Sequence, residues 1–382
     1  MPQIVLLRGA NVLRDGSLEP ADVLIDGAVI AEVSPIIQAE SADVVDVSGR
    51  ILAPGFIDVH VHGGGGHSLL STEIAEIEAY CRWAPSRGVT SFVATICAAS
   101  VEEGIAYARA ASEAKGSGAT VLGVNFEGPF VSPERCGALP RSWLQPPDAE
   151  LLKRMLDAAP VRVMTVAPEL PGAHELMEAA ARTGVRVSVG HSDATFEVAK
   201  AAFDAGASHV THAFNAMRPL HHREPGPIGA AIEVRGATVE AIADGVHLHP
   251  ATVRLLAEAL GSDRLCLVTD AVTPAGLPEG AFRLGGKEAT LRGGAVTLPD
   301  GTIAGSAATM DAVVRNVVDW GIAPPAQALS MASAVPAHVA GVGARKGRIE
   351  PGYDADIVLL SAHLDVEETW VGGRCVYRSR EA

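Results

Sequence analysis

The sequence alternates between short, apolar, β-branched runs and amphipathic segments rich in alanine and glutamate. Strand patterns occupy eight stretches, at residues 55–63, 89–97, 121–129, 161–169, 185–192, 209–217, 239–250 and 265–272. Helical patterns such as EIAEIEAYCRWAPSRG separate most of them. Strands that are joined through helices run parallel. Eight such units predict an α/β fold, the (β/α)8 TIM-like barrel. The alternative is an open doubly wound sheet, which usually carries a glycine-rich phosphate turn after its first strand.

The two ends of the chain follow a different pattern. Residues 1–53 and 345–382 are short alternating segments punctuated by Asp-Gly and Gly-Gly, which is typical of antiparallel strands and tight turns. We therefore expect both ends to form one small β-sandwich domain beside a barrel of residues 54–344. Residues 280–303 predict a hairpin insertion after the eighth strand.

Charge and cysteine content exclude several classes of protein. The net charge of -15 argues against a nucleic-acid partner, because such surfaces need basic patches. No apolar run reaches the roughly 18 residues of a membrane span, and the sequence does not begin with a basic region followed by a long apolar segment. The five cysteines show no Cys-x-x-Cys spacing. We expect a cytoplasmic protein without a membrane partner.

Polar side chains recur near the C-terminal ends of the predicted strands. His60 and His62 are two apart in the first strand and point to the same side. Further strands end in Glu127, His191, His212, His247 and Asp270. Active sites of TIM barrels lie at this face. Each residue alone could be structural, for example as a helix cap, but together they predict a metal site.

The predicted ligands are imidazole nitrogens and carboxylate oxygens, without a cysteine. This set suits Zn²⁺ or a similar divalent ion that keeps one position open for water. Such an ion lowers the pKa of water to about 7, so the expected reaction is hydrolysis. Asp270 is placed to act as general acid and base. The other histidines are interpreted as structural, namely residues 67, 174, 209, 249, 338 and 363.

A series of motifs runs along nearly the whole chain: PGFIDVHVHGGGG, FEGPF, VGHSDAT, THAFNAM, REPG, ADGVHLHP, LVTDA, IAGSAATM and GRIEPGYDADIVLL. With these motifs the sequence resembles the N-acetylglucosamine-6-phosphate deacetylases of the amidohydrolase superfamily. THAFNAM, REPG and ADGVH carry most of the specificity, whereas the His-x-His and the two chain ends are shared more widely.

The resemblance implies a barrel with a small β-sandwich, a homodimer, and hydrolysis of N-acetylglucosamine 6-phosphate to glucosamine 6-phosphate and acetate. Glu127, His191 and His212 fall on the principal metal site, and Asp270 falls on the catalytic acid/base position beside the metal. His60 and His62 could hold a second ion that Glu127 bridges. The substrate-contacting positions are Ala138, Leu139, Asn215, Ala216, Arg223, His247, Ile303, Ala304 and Gly305.

The phosphate of such a substrate needs positive charge in an acidic protein. RPLHHREPG places Arg218, His221, His222 and Arg223 within six positions, and these could form a phosphate-binding patch. The resemblance implies that Arg223 reaches across the dimer to the phosphate in the neighbouring subunit. A solvated loop is the structural alternative.

Three other functions remain open. Leu139 stands where many family members have a substrate-binding histidine, so the galactosamine epimer is an alternative substrate. A ring-opening amidohydrolase or deaminase is disfavoured, because such members usually place a modified lysine on strand four and VRVMTVAPE contains none. A catalytically inactive binding protein would be expected to have lost metal ligands, and all of them are present.

Overall fold

A computed structural model describes residues 4–380 of the chain. The outermost residues of the predicted small domain, 1–3 and 381–382, lie outside the described residues. No helix within residues 4–380 combines the length and the apolar character that are needed to cross a bilayer.

The eight predicted barrel strands form one parallel sheet in which neighbours in sequence are neighbours in space. The sheet closes between its first and eighth strands, where the His62 N–H donates to the Ala271 carbonyl at 2.8 Å and the Asp270 N–H to the His60 carbonyl at 2.9 Å. This closure confirms the TIM-like barrel and excludes the open sheet. The strands are Phe56–Val61, Val89–Ile96, Thr120–Glu127, Val161–Val166, Arg186–Val189, Ala207–Val210, Thr238–Ala241 and Leu265–Leu267.

Helices surround the barrel and begin at capping residues that the sequence supplies. Ser100 accepts a hydrogen bond from the Glu103 N–H, and Asp148 accepts one from the Leu151 N–H, so that each satisfies a free donor of the first helical turn. The α-helices are Ile74–Trp83, Val101–Glu113, Ala149–Ala158, Ala173–Arg182, Phe196–Asp204, Gly226–Glu233, Pro250–Leu260, Met310–Asp319, Pro325–Met331 and Ala334–Val339. Short 3-10 helices occupy Ala84–Arg87 and Pro133–Arg135.

The glycines that follow the first barrel strand allow the chain to pass close to an aromatic ring. A Cβ on Gly64 or Gly65 would lie 2.5 Å from the Trp83 indole, so only glycine fits beneath that ring. Gly65 also adopts a left-handed φ of 62°. Its N–H donates to Ala275 in the loop after strand eight. The glycine run therefore fastens the first strand to the eighth.

Several barrel strands end earlier than their sequence patterns predict. The fifth ends at Val189 and the eighth at Leu267. His191, His212 and Asp270 follow the strand ends with φ angles of 46°, 23° and 49°. A β-branched run predicts an extended backbone, whereas a positive φ turns the chain out of the sheet. These three residues consequently lie on the loops at the barrel rim.

The chain ends form a separate antiparallel-rich sheet, as predicted. The N-terminal strand Ile4–Arg14 pairs with three other strands, and Ile51–Pro54, at the middle of the sheet, links the N-terminal strands to Ile357–Leu360 from the other end. A core of its own underlies this sheet. The placement of the domain limits at residues 53 and 345 stays a prediction. The remaining strands of the sheet are Ser17–Asp26, Val29–Ser34, Asp43–Asp46, Val366–Val371 and Arg374–Arg378.

The predicted insertion after strand eight is a four-stranded antiparallel sheet, larger than a single hairpin. Its first turn, at Gly285 and Gly286, and its last strand both line the cavity described below. The strands are Gly280–Leu284, Lys287–Arg292, Ala295–Thr297 and Ile303–Ser306. A two-residue hairpin pairs Gly63–Gly64 with His67–Ser68.

A buried ion pair stabilises the connection between the last helix, Ala334–Val339, and the strand Ile357–Leu360 of the end sheet. The Lys346 ammonium contacts the carboxylates of Asp354, at 2.9 Å, and Asp356. The side chains of Lys346 and Asp356 are only 8% and 7% exposed. Arg345 contacts the same Asp354, but its side chain is 66% exposed. Lys346 and Arg345 thus both contact Asp354, but Lys346 is buried whereas Arg345 is exposed.

We expect Lys346→Met to lower the free energy of unfolding by about 3 kcal/mol, because it leaves the buried Asp356 carboxylate without its ion-pair partner. Arg345→Met is the matched control, and its exposed pair should contribute less than about 1 kcal/mol. Urea unfolding followed by circular dichroism measures both. Equal losses in the two variants would contradict the structural role assigned to Lys346.

Candidate active site

A cavity of about 710 Å³ lies at the C-terminal ends of the barrel strands and gathers most of the predicted site residues. His60 is fully buried and is not among the lining residues. Arg223 is exposed and does not line the cavity of its own chain. The predicted residues that line it are His62, Glu127, Ala138, Leu139, His191, His212, Asn215, Ala216, His247, Asp270, Ile303, Ala304 and Gly305.

Glu127, His191 and His212 converge at the floor of this cavity. The Nε2 atoms of His191 and His212 lie 2.9 Å and 3.1 Å from the same Glu127 oxygen, Oε1. The two Nε2 atoms are 3.1 Å apart. All three side chains are almost completely buried. Two imidazole nitrogens that face one carboxylate oxygen at these distances surround a point where a cation fits.

The His-x-His pair and Asp270 form a second group beside the first. His60 Nε2 lies 3.6 Å from both Glu127 Oε1 and Asp270 Oδ1. His62 Nε2 lies 3.3 Å from Asp270 Oδ1 and 3.4 Å from Glu127 Oε2. Glu127 Oε2 therefore faces His62, whereas Oε1 faces His60 as well as His191 and His212. His60, His62 and Asp270 have ligand atoms within 4.8 Å of one another, as a metal site requires.

Hydrogen bonds at the far side of the rings fix which nitrogen faces the centre. The His60 Nδ1–H donates to Glu240 at 2.8 Å, and the His191 Nδ1–H donates to the Arg135 carbonyl at 2.9 Å. Since these acceptors hold a proton on Nδ1, Nε2 is the nitrogen that faces the centre and would offer its lone pair to a bound metal ion. His60 Nε2 is buried without a hydrogen-bond partner. A buried nitrogen that lacks a hydrogen bond and lies near the carboxylates of Glu127 and Asp270 suits a divalent cation.

The electrostatics of the centre also favour a cation. Burial alone would raise the pKa of Glu127, but hydrogen bonds from His191 and His212 hold it well below its usual range. Burial alone would lower the pKa of His62, yet its contacts with Asp270 and Cys97 raise it to about 10. A metal ion must displace the proton from such an imidazole, so metal affinity should rise with pH.

Strained backbone marks the same residues. Of the seven non-glycine residues with positive φ among those described, His191, His212, Phe214, Ala216 and Asp270 lie on the rim loops. Each such conformation costs on the order of 1–3 kcal/mol and persists where surrounding bonds enforce it. Here the His212 N–H donates to Glu240, and the Asp270 carbonyl accepts from the Ser306 N–H. The strain turns the ligand side chains toward the cavity.

Glu240 is a central residue of the site that the sequence analysis missed. It is fully buried on the seventh strand. One oxygen accepts from His60 Nδ1 and from the His212 N–H, and the other accepts from His209 Nε2 at 3.1 Å. The pKa of this carboxyl is lowered despite its burial, because His60 and His209 face it. Its only signal in the sequence is a glutamate in the middle of an apolar strand.

Asp58 also went unrecognised, although it precedes His60 and His62 at the same alternating spacing. Its carboxyl accepts from the Thr269 hydroxyl at 2.5 Å and so joins the first strand to the eighth. Burial raises the pKa of Asp58 to about 7. The histidines interpreted as structural lie outside the metal-binding groups that residues 4–380 contain. His209, one of them, supports Glu240, and His249 caps the helix Pro250–Leu260.

A further histidine of the cavity, His247, is held in place by a neighbouring carboxylate. His247 follows the seventh strand in a loop, six residues beyond its end, and donates from Nδ1 to Asp244 at 2.7 Å. Burial alone would lower its pKa, but the bond to Asp244 raises it. Arg283 and Lys287, from the inserted sheet, also line the cavity. Positive groups therefore stand on two sides of it.

The predicted basic patch is partly neutralised. Arg218 donates to the Asp193 carboxylate at 2.8 Å and lies 3.5 Å from Glu224. His221 and His222 are exposed, and their ring centroids are 4.1 Å apart. Arg218 therefore forms its ion pairs with carboxylates of its own chain. Arg223 remains on the exposed part of this loop.

Comparison with known proteins places this geometry in context. The model of the amidohydrolase family matches residues 51–376. The chain is 37% identical to the N-acetylglucosamine-6-phosphate deacetylase of Bacillus subtilis (strain 168) over 90% of its length and 88% of that protein. It is 36% identical to the N-acetylgalactosamine-6-phosphate deacetylase of Escherichia coli O157:H7, over 97% of the chain and 98% of that protein.

A solved structure has the same fold. It is a mutant of the N-acetyl-D-glucosamine-6-phosphate deacetylase of Mycobacterium smegmatis in complex with N-acetyl-D-glucosamine-6-phosphate. The TM-score is 0.90 at 33% identity, and the match covers 98% of this chain and 99% of that one.

Glu240 provides a test of the site that does not depend on any substrate. We expect Glu240→Gln to weaken metal binding by about 10–100-fold, because His60 loses the charged acceptor that orients it. Glu103→Gln is the matched control, since Glu103 lines the same cavity but contacts Tyr107. Titration of chelator-treated protein with Zn²⁺ measures the affinity. Unchanged affinity in a folded Glu240→Gln protein would rule out this role.

Proposed function

Because the chain belongs to the amidohydrolase family, we propose that it hydrolyses the acetamide of N-acetylglucosamine 6-phosphate to glucosamine 6-phosphate and acetate, a step of amino sugar metabolism. The observation that carries this proposal is the convergence of four imidazoles and two carboxylates at the rim of the barrel. The deacetylase relatives act on phosphorylated N-acetylhexosamines by name. The reaction takes place in the cytoplasm, in keeping with the absence of disulfide patterns.

The family is metal-dependent, and we assign Zn²⁺ to this site. Glu127, His191, His212 and Asp270 would hold the principal ion. His60 and His62 would hold a second one, since the other oxygen of Glu127 faces His62. When bound, a divalent ion of this kind supplies Lewis acidity and lets water lose a proton near pH 7.

Asp270 moves the proton during the reaction. Its carboxylate accepts the proton of the attacking water and later donates it to the sugar nitrogen, as the bond between nitrogen and the carbonyl carbon breaks. Burial alone would raise the pKa of Asp270, but His62 and His60 lower it, so the carboxylate is ionised at the start. The backbone bonds at Asp270 hold this group in place.

The sugar phosphate occupies the other side of the cavity. His247, which Asp244 holds and whose raised pKa favours the imidazolium, contacts the anionic end. Ala138, Leu139, Asn215, Ala216 and the strand residues Ile303, Ala304 and Gly305 contact the sugar. In a homodimer, Arg223 of the neighbouring subunit reaches the phosphate, which fits its exposure and its absence from the cavity of its own chain.

The galacto epimer is the second candidate substrate. Its support is the relative that is 36% identical over 97% of the chain and is named for that epimer. Leu139 is nearly buried in the cavity wall and offers no hydrogen bond to a hydroxyl group. The pocket around Leu139 therefore decides between the epimers. A purely binding function is disfavoured, because every proposed ligand side chain lies in the cluster.

Acetate release from the gluco and galacto 6-phosphates tests the proposal directly. The chelator-treated protein should be inactive and should recover with Zn²⁺. Asp270→Asn should lower turnover by roughly 10² or more, the scale of a lost general acid/base, while substrate affinity changes little. Near-normal turnover of Asp270→Asn would show that the proton passes through another group, and no release from either epimer would refute the reaction.

Arg223→Ala should weaken binding of the phosphorylated substrate by about 1.5–3 kcal/mol, the scale of a charged hydrogen bond. Activity on the unphosphorylated sugar should scarcely change. Arg235→Ala serves as the control, because Arg235 is also exposed and lies outside the cavity. Michaelis constants for both sugars provide the measurement.

Mixed dimers separate a contribution in trans from one within the chain. Asp270→Asn chains mixed with Arg223→Ala chains should regain activity, since one site of each heterodimer then combines a working Asp270 with an intact Arg223. Absence of recovery in verified heterodimers would place Arg223 in its own subunit or outside the site.

A further inference from the structure

Cys97 stands beside the metal-binding cluster, where the sequence analysis expected no cysteine. It follows the second barrel strand, Val89–Ile96, at the same rim as the other site residues. Its thiol lines the cavity and is half-buried. The sulfur, one ligand atom of His62 and one of Glu127 all lie within 4.8 Å of one another.

We propose that Cys97 is a ligand of the second ion, which it holds together with His62 and Glu127. This inference rests on the metal dependence in the proposed function. It adds a soft sulfur to a set otherwise made of nitrogen and oxygen. Zn²⁺ accepts thiolate readily, at about 2.3 Å, whereas Mg²⁺ and Mn²⁺ prefer oxygen ligands. Cys97 thereby favours a thiolate-binding ion such as Zn²⁺ over Mg²⁺ or Mn²⁺ at this position.

Two histidine nitrogens in the neighbourhood of Cys97 have no hydrogen-bond partner. His60 Nε2 and His62 Nδ1 are both buried and make no hydrogen bond. His60 Nε2 is 3.6 Å from Glu127 Oε1 and from Asp270 Oδ1, so it faces the same space between the two carboxylates. Buried nitrogens are rarely left unpaired, because desolvation without a partner is costly. A cation at this place satisfies His60 Nε2 and lies within reach of the Cys97 sulfur.

Binding of the metal ion to Cys97 exchanges a proton for the ion. The sulfur–metal bond forms as the thiol proton leaves to solvent, and no oxidant or reductant is needed. Cys97 directly follows Ile96, which pairs with Phe126, the residue before Glu127 on the adjacent third strand. The paired strand ends therefore hold the thiol close to the carboxylate.

Cobalt provides a direct probe, because a cobalt–thiolate bond absorbs in the near ultraviolet. The full chain, stripped by chelator, is titrated with Co²⁺ and with Zn²⁺. The absorption should grow with the second equivalent. Cys97→Ser should bind the first equivalent normally, lack the absorption and bind the second ion about tenfold or more weakly. Cys136→Ser, which changes another half-buried thiol, is the matched control and should behave as the wild type.

Labelling of the wild-type protein avoids reliance on a variant that could misfold. The second equivalent of Zn²⁺ should slow alkylation of Cys97, located by mass spectrometry, by about tenfold or more, while Cys136 serves as the internal reference. Absence of the absorption, binding of only one ion, or unchanged labelling would each overturn the proposal. If acetate is nevertheless released with Zn²⁺, only the role of Cys97 fails and the proposed function stands.

Discussion

The hydrogen bonds that close the barrel between its first and eighth strands are the constraint on which the site depends. The His60 carbonyl accepts from the Asp270 N–H, and the His62 N–H donates to the Ala271 carbonyl. The buried hydrogen bond from the Thr269 hydroxyl to Asp58 adds a further contact between the same two segments of the chain. Because these bonds join residues about 210 positions apart, the His-x-His pair meets Asp270 only in the closed barrel. The glycines beneath Trp83 add another contact, since the Gly65 N–H donates to the Ala275 carbonyl in the loop after strand eight.

Buried charge explains why so many ionisable groups can share this small volume. Each imidazole of the cluster faces at least one carboxylate, and Glu240 supports His60 from behind while it holds the backbone of His212. Unpaired charges at this depth would be costly, whereas a network whose members are mutually paired is tolerated. The rim loops then bear the strain at His191, His212 and Asp270.

The proposed chemistry and the proposed specificity are located on different parts of the fold. The candidate metal ligands lie on the barrel strands or on the rim loops directly after them, whereas Leu139, His247 and Arg283 come from longer loops and from the inserted sheet. Loops vary without disturbing the core, so substrate preference can change while the cluster is kept. This division is consistent with relatives of similar identity that are named for different epimers.

The sequence by itself determined the barrel and the residues at its rim, because alternation of strands and helices and polar residues at strand ends are local patterns. His60, His62, Glu127, His191, His212 and Asp270 could all be read in this way. Only the tertiary structure revealed the partners: Glu240 behind His60, Cys97 beside His62, and Asp193 on Arg218. It also set the strand ends, since a β-branched run predicts extended backbone and carries no sign of a left-handed turn. Contacts between distant strands depend on barrel closure and register, which no local spacing encodes.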